Sequence, residues 1–339
     1  MARVLVMMSG GVDSSVAAAL LAEGGHDVTG VTLKLWGGES DSGCCSVADV
    51  EDARRVAAQL GLAHYVFNFA DDFERSVVEP YVAGYSAGTT PNPCVACNRE
   101  MKWGRLLRRA HELGFDRVAT GHHARVVVTP AGARVARGAD ARKDQSYVLA
   151  TVDPSAWERT LLPVGAMTKG DVRAHATRLG LRTATKAESM DVCFITRGGR
   201  DEFLRSRVGT APGPIVDGDG DVVGSHESVA SFTIGQRRGL DVAAGTRRYV
   251  VDVDSATRTV TIGDRDELLR SEVVLRDLVF PGGRPDGDLV VQTRAHGATT
   301  RGRLLGDTVE LAEPQPRVAP GQVVALYEDD VVVGAGYAV

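Results

Sequence analysis

An apolar run, Arg3-Val-Leu-Val-Met-Met8, stops at Ser9-Gly10-Gly11 and gives way to an alanine-rich stretch from about Ser14 to Glu23 that ends at Gly24-Gly25. A short apolar run bounded by glycines reads as a buried strand, and the alanine-rich stretch reads as a helix. This unit recurs along the chain. Val28–Leu35 is apolar and β-branched, and between Asp49 and Leu60 the residues Val50, Ala53, Val56, Ala57 and Leu60 fall on one helical stripe. Three junctions, Leu60-Gly61-Leu62, Leu113-Gly114-Phe115 and Leu179-Gly180-Leu181, put glycine where a left-handed residue closes a helix before the next segment. Strands alternating with helices predict an α/β fold built on a doubly wound parallel sheet.

After about residue 205 the texture changes to short β-branched runs punctuated by Asp217-Gly218, Asp219-Gly220, Gly263-Asp264 and Gly282-Gly283. The expected division is 1–204 for the α/β unit, 205–275 for a small central domain and 276–339 for a terminal β-barrel too short to stand without its neighbours. A length of 339 residues accommodates two or three domains, and 43% hydrophobic with 24% charged residues excludes a disordered or fibrous chain. No apolar run approaches the roughly 18 residues of a membrane span, and the N-terminal strand meets its glycine loop without a signal-cleavage pattern. A cytoplasmic protein with no membrane partner is expected. Lys+Arg 39 against Asp+Glu 44 leaves a net charge of −5, so nucleic acid must be held by local groups and not by bulk charge.

The segment Ser9-Gly10-Gly11-Val12-Asp13-Ser14-Ser15 lies where backbone amides and a helix N-terminus offer positive partial charge to an anion. Neither the Walker pattern nor the dinucleotide fingerprint occurs in the chain. Asp13 would repel a phosphate unless it held a divalent cation, which points to an Mg²⁺-nucleotide with pyrophosphate as leaving group; a plain helix-capping turn is the alternative. The full string resembles the PP-loop of ATP pyrophosphatases, which adenylate an oxygen before a nucleophile displaces AMP.

Five cysteines in such a chain are read as metal, redox or nucleophilic sites, not as a disulfide framework. Cys44 and Cys45 precede a helix and read as small buried hydrophobes. Cys94 and Cys97 sit in Thr90-Pro91-Asn92-Pro93-Cys94-Val95-Ala96-Cys97-Asn98-Arg99, a proline-stiffened entry to a helix. A helix N-terminus and Arg99 would favour the Cys97 thiolate, making it a candidate nucleophile. Cys193 alone reads as a core residue. Beside an oxygen-activating loop, two separated thiols can instead deliver sulfur, one as a persulfide and the other resolving the sulfur–sulfur bond. Cys94, Cys97 and Cys193 lack a fourth ligand for structural zinc, so a 4Fe-4S cluster with one open iron stays beside thiol chemistry as an alternative.

Seven blocks, in order, resemble the tRNA-specific 2-thiouridylase family (MnmA/TrmU). They are Met8–Ser14, Thr90–Pro93, Cys97-Asn98, Thr120-Gly121-His122, Lys143–Tyr147, Ser189–Ile195 and Phe232–Leu240. The resemblance implies a PP-loop domain, a small central domain and a C-terminal β-barrel. It implies ATP bound by Met7, Met8, Ser9, Gly10, Gly11, Val12, Asp13 and Ser14 together with Leu33 and Gly121. It further implies Cys97 as nucleophile, Cys193 as persulfide carrier, and a cysteine desulfurase or sulfur-relay protein as donor. The tRNA-facing residues on this reading are Asn92, Pro93, Cys94, His122, Lys143, Asp144 and Gln145. Because residues 276–339 carry six Arg, no Lys and nine carboxylates, the barrel is expected to add only placed groups such as Arg294 and Gln322. Some family members have Asp where this chain has Cys94, so the proton-transfer role implied there has no carboxylate here. The expected reaction is ATP-dependent 2-thiolation of the wobble uridine. PP-loop synthetases with amine nucleophiles, or an RNA-binding or redox protein without catalysis, are the competing readings.

Overall fold

The computed structural model describes residues 1–36, 46–187, 192–195, 199–242 and 246–339. Cys44, Cys45 and Ser189-Met190-Asp191 lie outside the described residues.

Five strands, β1 (Arg3–Met7), β2 (Asp27–Lys34), β3 (Ala63–Asn68), β4 (Arg117–Ala119) and a later two-residue strand, Thr160–Leu161, form a sheet whose pairings are all parallel. The order runs β3-β2-β1-β4 and then Thr160–Leu161, so the chain changes direction across the sheet between β1 and β4. Crevices at such a switch point, beyond the carboxyl ends of the strands, are where open α/β sheets take ligands. Helix α1 (Val12–Glu23) follows β1 and is buried on most of its surface, because Ala17, Ala18 and Ala19 let the sheet and the Lys169–Arg178 helix approach closely. Helix α2 (Val47–Gln59) starts at Ser46, whose Oγ accepts from the Asp49 amide at 3.1 Å, and buries Ala53, Val56 and Ala57 of the expected stripe. The junction glycines Gly61, Gly114 and Gly180 have φ of 71°, 77° and 61°, the left-handed closure their leucine-flanked setting predicts.

One element departs from strand-helix alternation. β5 (Ala124–Thr129) and β6 (Gly132–Arg137) form an antiparallel hairpin around Pro130-Ala131, and Ala136 pairs with Val331. The hairpin therefore extends the C-terminal sheet. The Thr160–Leu161 edge strand is β7; beyond the Gly199–Val208 helix come β8 (Gly213–Val216), β9 (Val222–His226), β10 (Tyr249–Asp254) and β11 (Thr259–Gly263), which form one sheet in the order β10-β11-β8-β9. The remaining strands are β12 (Leu269–Val279), β13 (Leu289–Gln292), β14 (Thr300–Leu305), β15 (Thr308–Pro316), β16 (Val323–Glu328) and β17 (Val331–Ala338). Pairing of β12 with β17 closes these six into a barrel. The barrel is supported from outside: Val323, Ala325 and Tyr327 share a core with Trp103, Tyr147 and Trp157. No helix among the described residues is long and apolar enough to cross a membrane.

Candidate active site

The loop after β1 is held by its own serines. The Ser9 amide donates to Ser14 Oγ at 3.1 Å, Ser14 Oγ donates to the Gly11 carbonyl at 3.2 Å, and Ser15 Oγ donates to the same carbonyl at 2.8 Å. No side chain caps α1 at Gly11, which leaves its first turn facing the crevice. Gly10 has φ of 73°, and a Cβ there would strike the Asp49 carbonyl, so only glycine fits. At the end of β4, a Cβ on Gly121 would come within 2.5 Å of the Ser14 nitrogen; the absence of a side chain lets β4 abut the start of α1.

Between these ends lies a cavity of about 240 Å³. One wall is apolar, made by Met7, Met8, Val31, Leu33 and Leu35; the other carries Ser9, Asp13, Ser14, Thr120, His122 and Gln145, with Lys102 reaching in from the helical segment that bears Cys97. Of the nucleotide-site residues named from sequence, Met7, Met8, Ser9, Gly11, Asp13, Ser14, Leu33 and Gly121 line this cavity. Gly10 stands behind it with its carbonyl taken by Lys186 Nζ at 3.0 Å, and Val12 is buried in the core beneath.

Asp13 is engaged on two sides. Lys169 Nζ lies 2.7 Å from both carboxylate oxygens and His123 Nε2 donates to Oδ1 at 3.1 Å. Burial pushes the Asp13 pKa up, but the hydrogen bonds and charges of His123 and Lys169 outweigh it and hold the carboxyl below the ordinary range. Mg²⁺ is usually bound by one or two carboxylates plus phosphate oxygens, and among the described residues Asp13 is the one carboxylate on this cavity. Beside the donors from Lys169 and His123 the carboxylate has further lone pairs to offer a metal.

His122 is buried against Trp103, with ring centroids 5.4 Å apart. Burial first, then the charge of Lys102 and the neighbouring His123, drives its pKa well below the usual histidine value, so the imidazole is neutral. Its Nε2 accepts from Lys102 Nζ at 3.3 Å, which leaves the proton on Nδ1 to be donated to Thr120 Oγ1 at 2.7 Å. An unfolded chain protonates this histidine near pH 6.5 while the folded one does not. Stability therefore falls as the pH drops below about 7, by at most about 1.4 kcal/mol per pH unit from this group. Urea midpoints between pH 7.5 and 5 should fall less steeply for His122→Gln than for the parent protein.

Cys97 is 9% exposed and packs in the cluster of Phe73, Tyr81 and Met101, against which Phe194 and the half-buried Cys193 also pack. The structure thus brings Cys97 and Cys193 to one hydrophobic cluster and leaves Cys94 exposed. Among the described residues no group of three or more His, Cys, Asp or Glu is placed to hold a metal, so the three thiols do not fit a cluster site in this arrangement. The difference lies in depth along the helical stretch: Cys94 sits exposed in its first turn, and Cys97, a turn further on, is covered by the core. The thiol is also not at a helix end. Asn92 caps the stretch, its Oδ1 accepting from the Cys94 and Val95 amides at 3.0 and 3.4 Å, which puts Cys97 a turn inside. Arg99 turns instead to Glu100 at 2.7 Å and to the Tyr337 hydroxyl of the barrel at 2.7 Å.

The residues expected to face tRNA divide. Asp144 turns inward, its carboxylate 7% exposed and accepting from the Gly138 and Ser146 amides, Ser146 Oγ and Arg137. Gln145 lines the cavity and accepts from the His123 amide at 2.9 Å, whereas Lys143 is half-buried on the same turn. Pro93 is buried. Arg294 and Gln322 come together on a second cavity of about 610 Å³, alongside Arg200, Arg238, Thr233 and Gln236. Gln322 also donates to the Thr90 carbonyl, and the Thr90 amide donates to Pro320 at 2.7 Å, so the barrel braces the loop that leads to Cys97. Lys102 and Lys169 carry no signal in the sequence, and His123 reads there as a satisfied histidine at a strand end. A Thr168-x-x-Asp171 capping box marks the helix that begins at Lys169, but no local pattern ties that lysine to an aspartate 156 residues earlier.

Profiles of three known domains cover the chain: the tRNA methyl transferase HUP domain at 2–197, the tRNA methyl transferase PRC-barrel domain at 201–264 and the aminomethyltransferase beta-barrel domain at 270–338. The tRNA-specific 2-thiouridylase MnmA of Roseiflexus castenholzii is 44% identical over 366 aligned residues, covering 99% of each chain. That of Thermobifida fusca is 45% identical over 346, covering 98% of this chain and 94% of its own. A solved U34-tRNA thiolase NcsA from Methanococcus maripaludis with its [4Fe-4S] cluster is 19% identical, with a TM-score of 0.38 over 61% of this chain and 64% of that one, a likeness too remote to bear on the thiols here. On end-to-end identity with the curated thiouridylases, the chain belongs to the tRNA-specific 2-thiouridylase family.

Proposed function

We propose that the protein replaces the 2-oxygen of the wobble uridine of tRNA with sulfur, using ATP to activate that oxygen. The observation that carries this reading is that one helical stretch supplies both Cys97 to the thiol cluster and Lys102 to the cavity beneath the Ser9–Ser14 loop. On this reading oxygen activation and sulfur delivery would take place on adjoining surfaces, which is what supports it.

In the first step uridine O2 bonds to the α-phosphorus, the bond to the bridging oxygen breaks and pyrophosphate departs with the electron pair, while the N3 proton passes to solvent. The amides of the α1 first turn and Ser9 hold the phosphates, and Asp13 would carry Mg²⁺, which neutralises charge on the leaving pyrophosphate. In the second step the outer sulfur of a persulfide on Cys193 attacks C2, and AMP leaves with the oxygen. The Cys97 thiolate then attacks the Cys193 sulfur, freeing 2-thiouridine and forming a Cys97–Cys193 disulfide that an external dithiol reduces. A base stacked in an ordered anticodon hides the atom attacked, so the uridine must leave its stack. Arg294 and Gln322 on the larger cavity, with Lys143 and the Asn92–Cys94 turn, form the proposed tRNA-facing surface, while Asp144 shapes it from within.

The test is nucleoside mass spectrometry of unmodified tRNA incubated with protein, ATP, Mg²⁺ and either sulfide or a cysteine desulfurase. ATP-dependent 2-thiouridine is the expected product. Pyrophosphate release without sulfur incorporation under both donors would overturn the reading.

A further inference from the structure

Lys102 is the only lysine or arginine among the described residues that lines the 240 Å³ cavity. Two of the other lysines near the site are committed to carboxylates, Lys169 to Asp13 at 2.7 Å and Lys186 to Asp49 and Asp52 at 2.7 Å each. Lys102 meets no carboxylate among the described residues; its ammonium touches His122 Nε2 at 3.3 Å. We propose that Lys102 is a phosphate ligand of the nucleotide and holds the α-phosphoryl group during its transfer to uridine, an assignment that rests on the ATP-dependent reading above.

The argument begins with charge. An ammonium group has three donors and no acceptor. Neutral His122 takes one of the three and orients the group without cancelling its charge, whereas a carboxylate partner would neutralise it. His122 is fixed in turn by Thr120 at 2.7 Å, immediately before Gly121, the residue that abuts the first turn of α1. The lysine is therefore positioned by the strand end that borders the phosphate loop. A preoriented cation beside an anion cradle acts most strongly where negative charge grows, on the oxygens around the α-phosphorus as the uridine oxygen bonds and pyrophosphate departs. Lys102 lies five residues after Cys97 in one helical stretch, so the group that would hold the phosphoryl and the thiol that would complete the reaction share one rigid element.

The experiment compares parent, Lys102→Met, Lys102→Gln and Lys102→Arg. Calorimetry with Mg²⁺ and ATP measures binding, and single-turnover pyrophosphate release with unmodified tRNA measures transfer. The expected result for Met and Gln is ATP affinity within about tenfold of the parent and release slower on the order of 100-fold, with Arg recovering part of the rate and all three melting near the parent temperature. Parent rates in Met and Gln would overturn the assignment, as would a rate loss that tracks a lowered melting temperature and is not relieved by Arg. A parent protein that neither binds ATP nor releases pyrophosphate would overturn the ATP-dependent reading itself, an outcome distinct from active parent and unaffected variants.

Discussion

With Cys97→Ser, free 2-thiouridine should fall below detection while tRNA-dependent pyrophosphate release proceeds for a single turnover. A hydroxyl preserves the size of the side chain but forms no sulfur–sulfur bond, so the Cys193 persulfide displaces AMP from the adenylated uridine and the resulting uridine–S–S–Cys193 adduct cannot be resolved. The substitution places a hydroxyl in the cluster of Phe73, Tyr81 and Met101, at a cost of roughly 1–3 kcal/mol. That is tolerable against a usual stability of about 5–15 kcal/mol, and an unchanged circular dichroism spectrum would verify the fold. The block should also be visible on the protein: in the serine variant tRNA stays joined to Cys193 through a disulfide, a covalent complex seen on a denaturing gel and released by dithiothreitol. Cys193→Ser should give the same loss of product without the covalent complex. Continued 2-thiouridine in either variant would remove that cysteine from the chemistry.

Asp13→Asn should lower pyrophosphate release by about 10²–10³-fold, since the neutral amide no longer carries the cation expected to offset charge on the departing phosphates. It should also lower stability, by about 1–3 kcal/mol: the Lys169 ammonium, 12% exposed, loses its counter-charge, and the partial exposure of Asp13 keeps the loss below that of a fully buried pair. The pH dependence separates the two effects. Burial raises the Asp13 pKa, but His123 and Lys169 more than reverse it, so the folded value lies below the unfolded one. The stabilisation is thus complete above the unfolded value near 3.9 and disappears as the pH falls through the lower folded one. Urea midpoints for parent and variant should differ by a constant amount from pH 5 to 8 and converge below pH 4. A gap that stays open in acid would show that the charge of Asp13 is not what stabilises the site.

Strand-helix alternation, helix closure at Gly61, Gly114 and Gly180, and the change to β texture after about 205 were all legible in the amino-acid sequence, because each rests on contacts within a few residues. The strand-loop-helix setting of Ser9–Ser14 was legible for the same reason, since glycines between a strand and a helix mark the turn locally, whereas its use as a nucleotide cradle belongs to the proposed function. Packing decided the rest. The β5–β6 hairpin has a recognisable turn, yet its partner is Val331 of the closing barrel strand, and no local signal names a partner that far along the chain. Asp144 looks like a solvated turn residue but is drawn inside by Arg137 and the Ser146 amide. Arg99, expected to assist the thiol, is held by Glu100 and Tyr337. Lys169 on Asp13 and Lys102 on His122 are chosen by the way helices settle on the sheet. A buried charge takes whichever counter-group the fold brings within reach, and that choice belongs to tertiary structure because burial itself does.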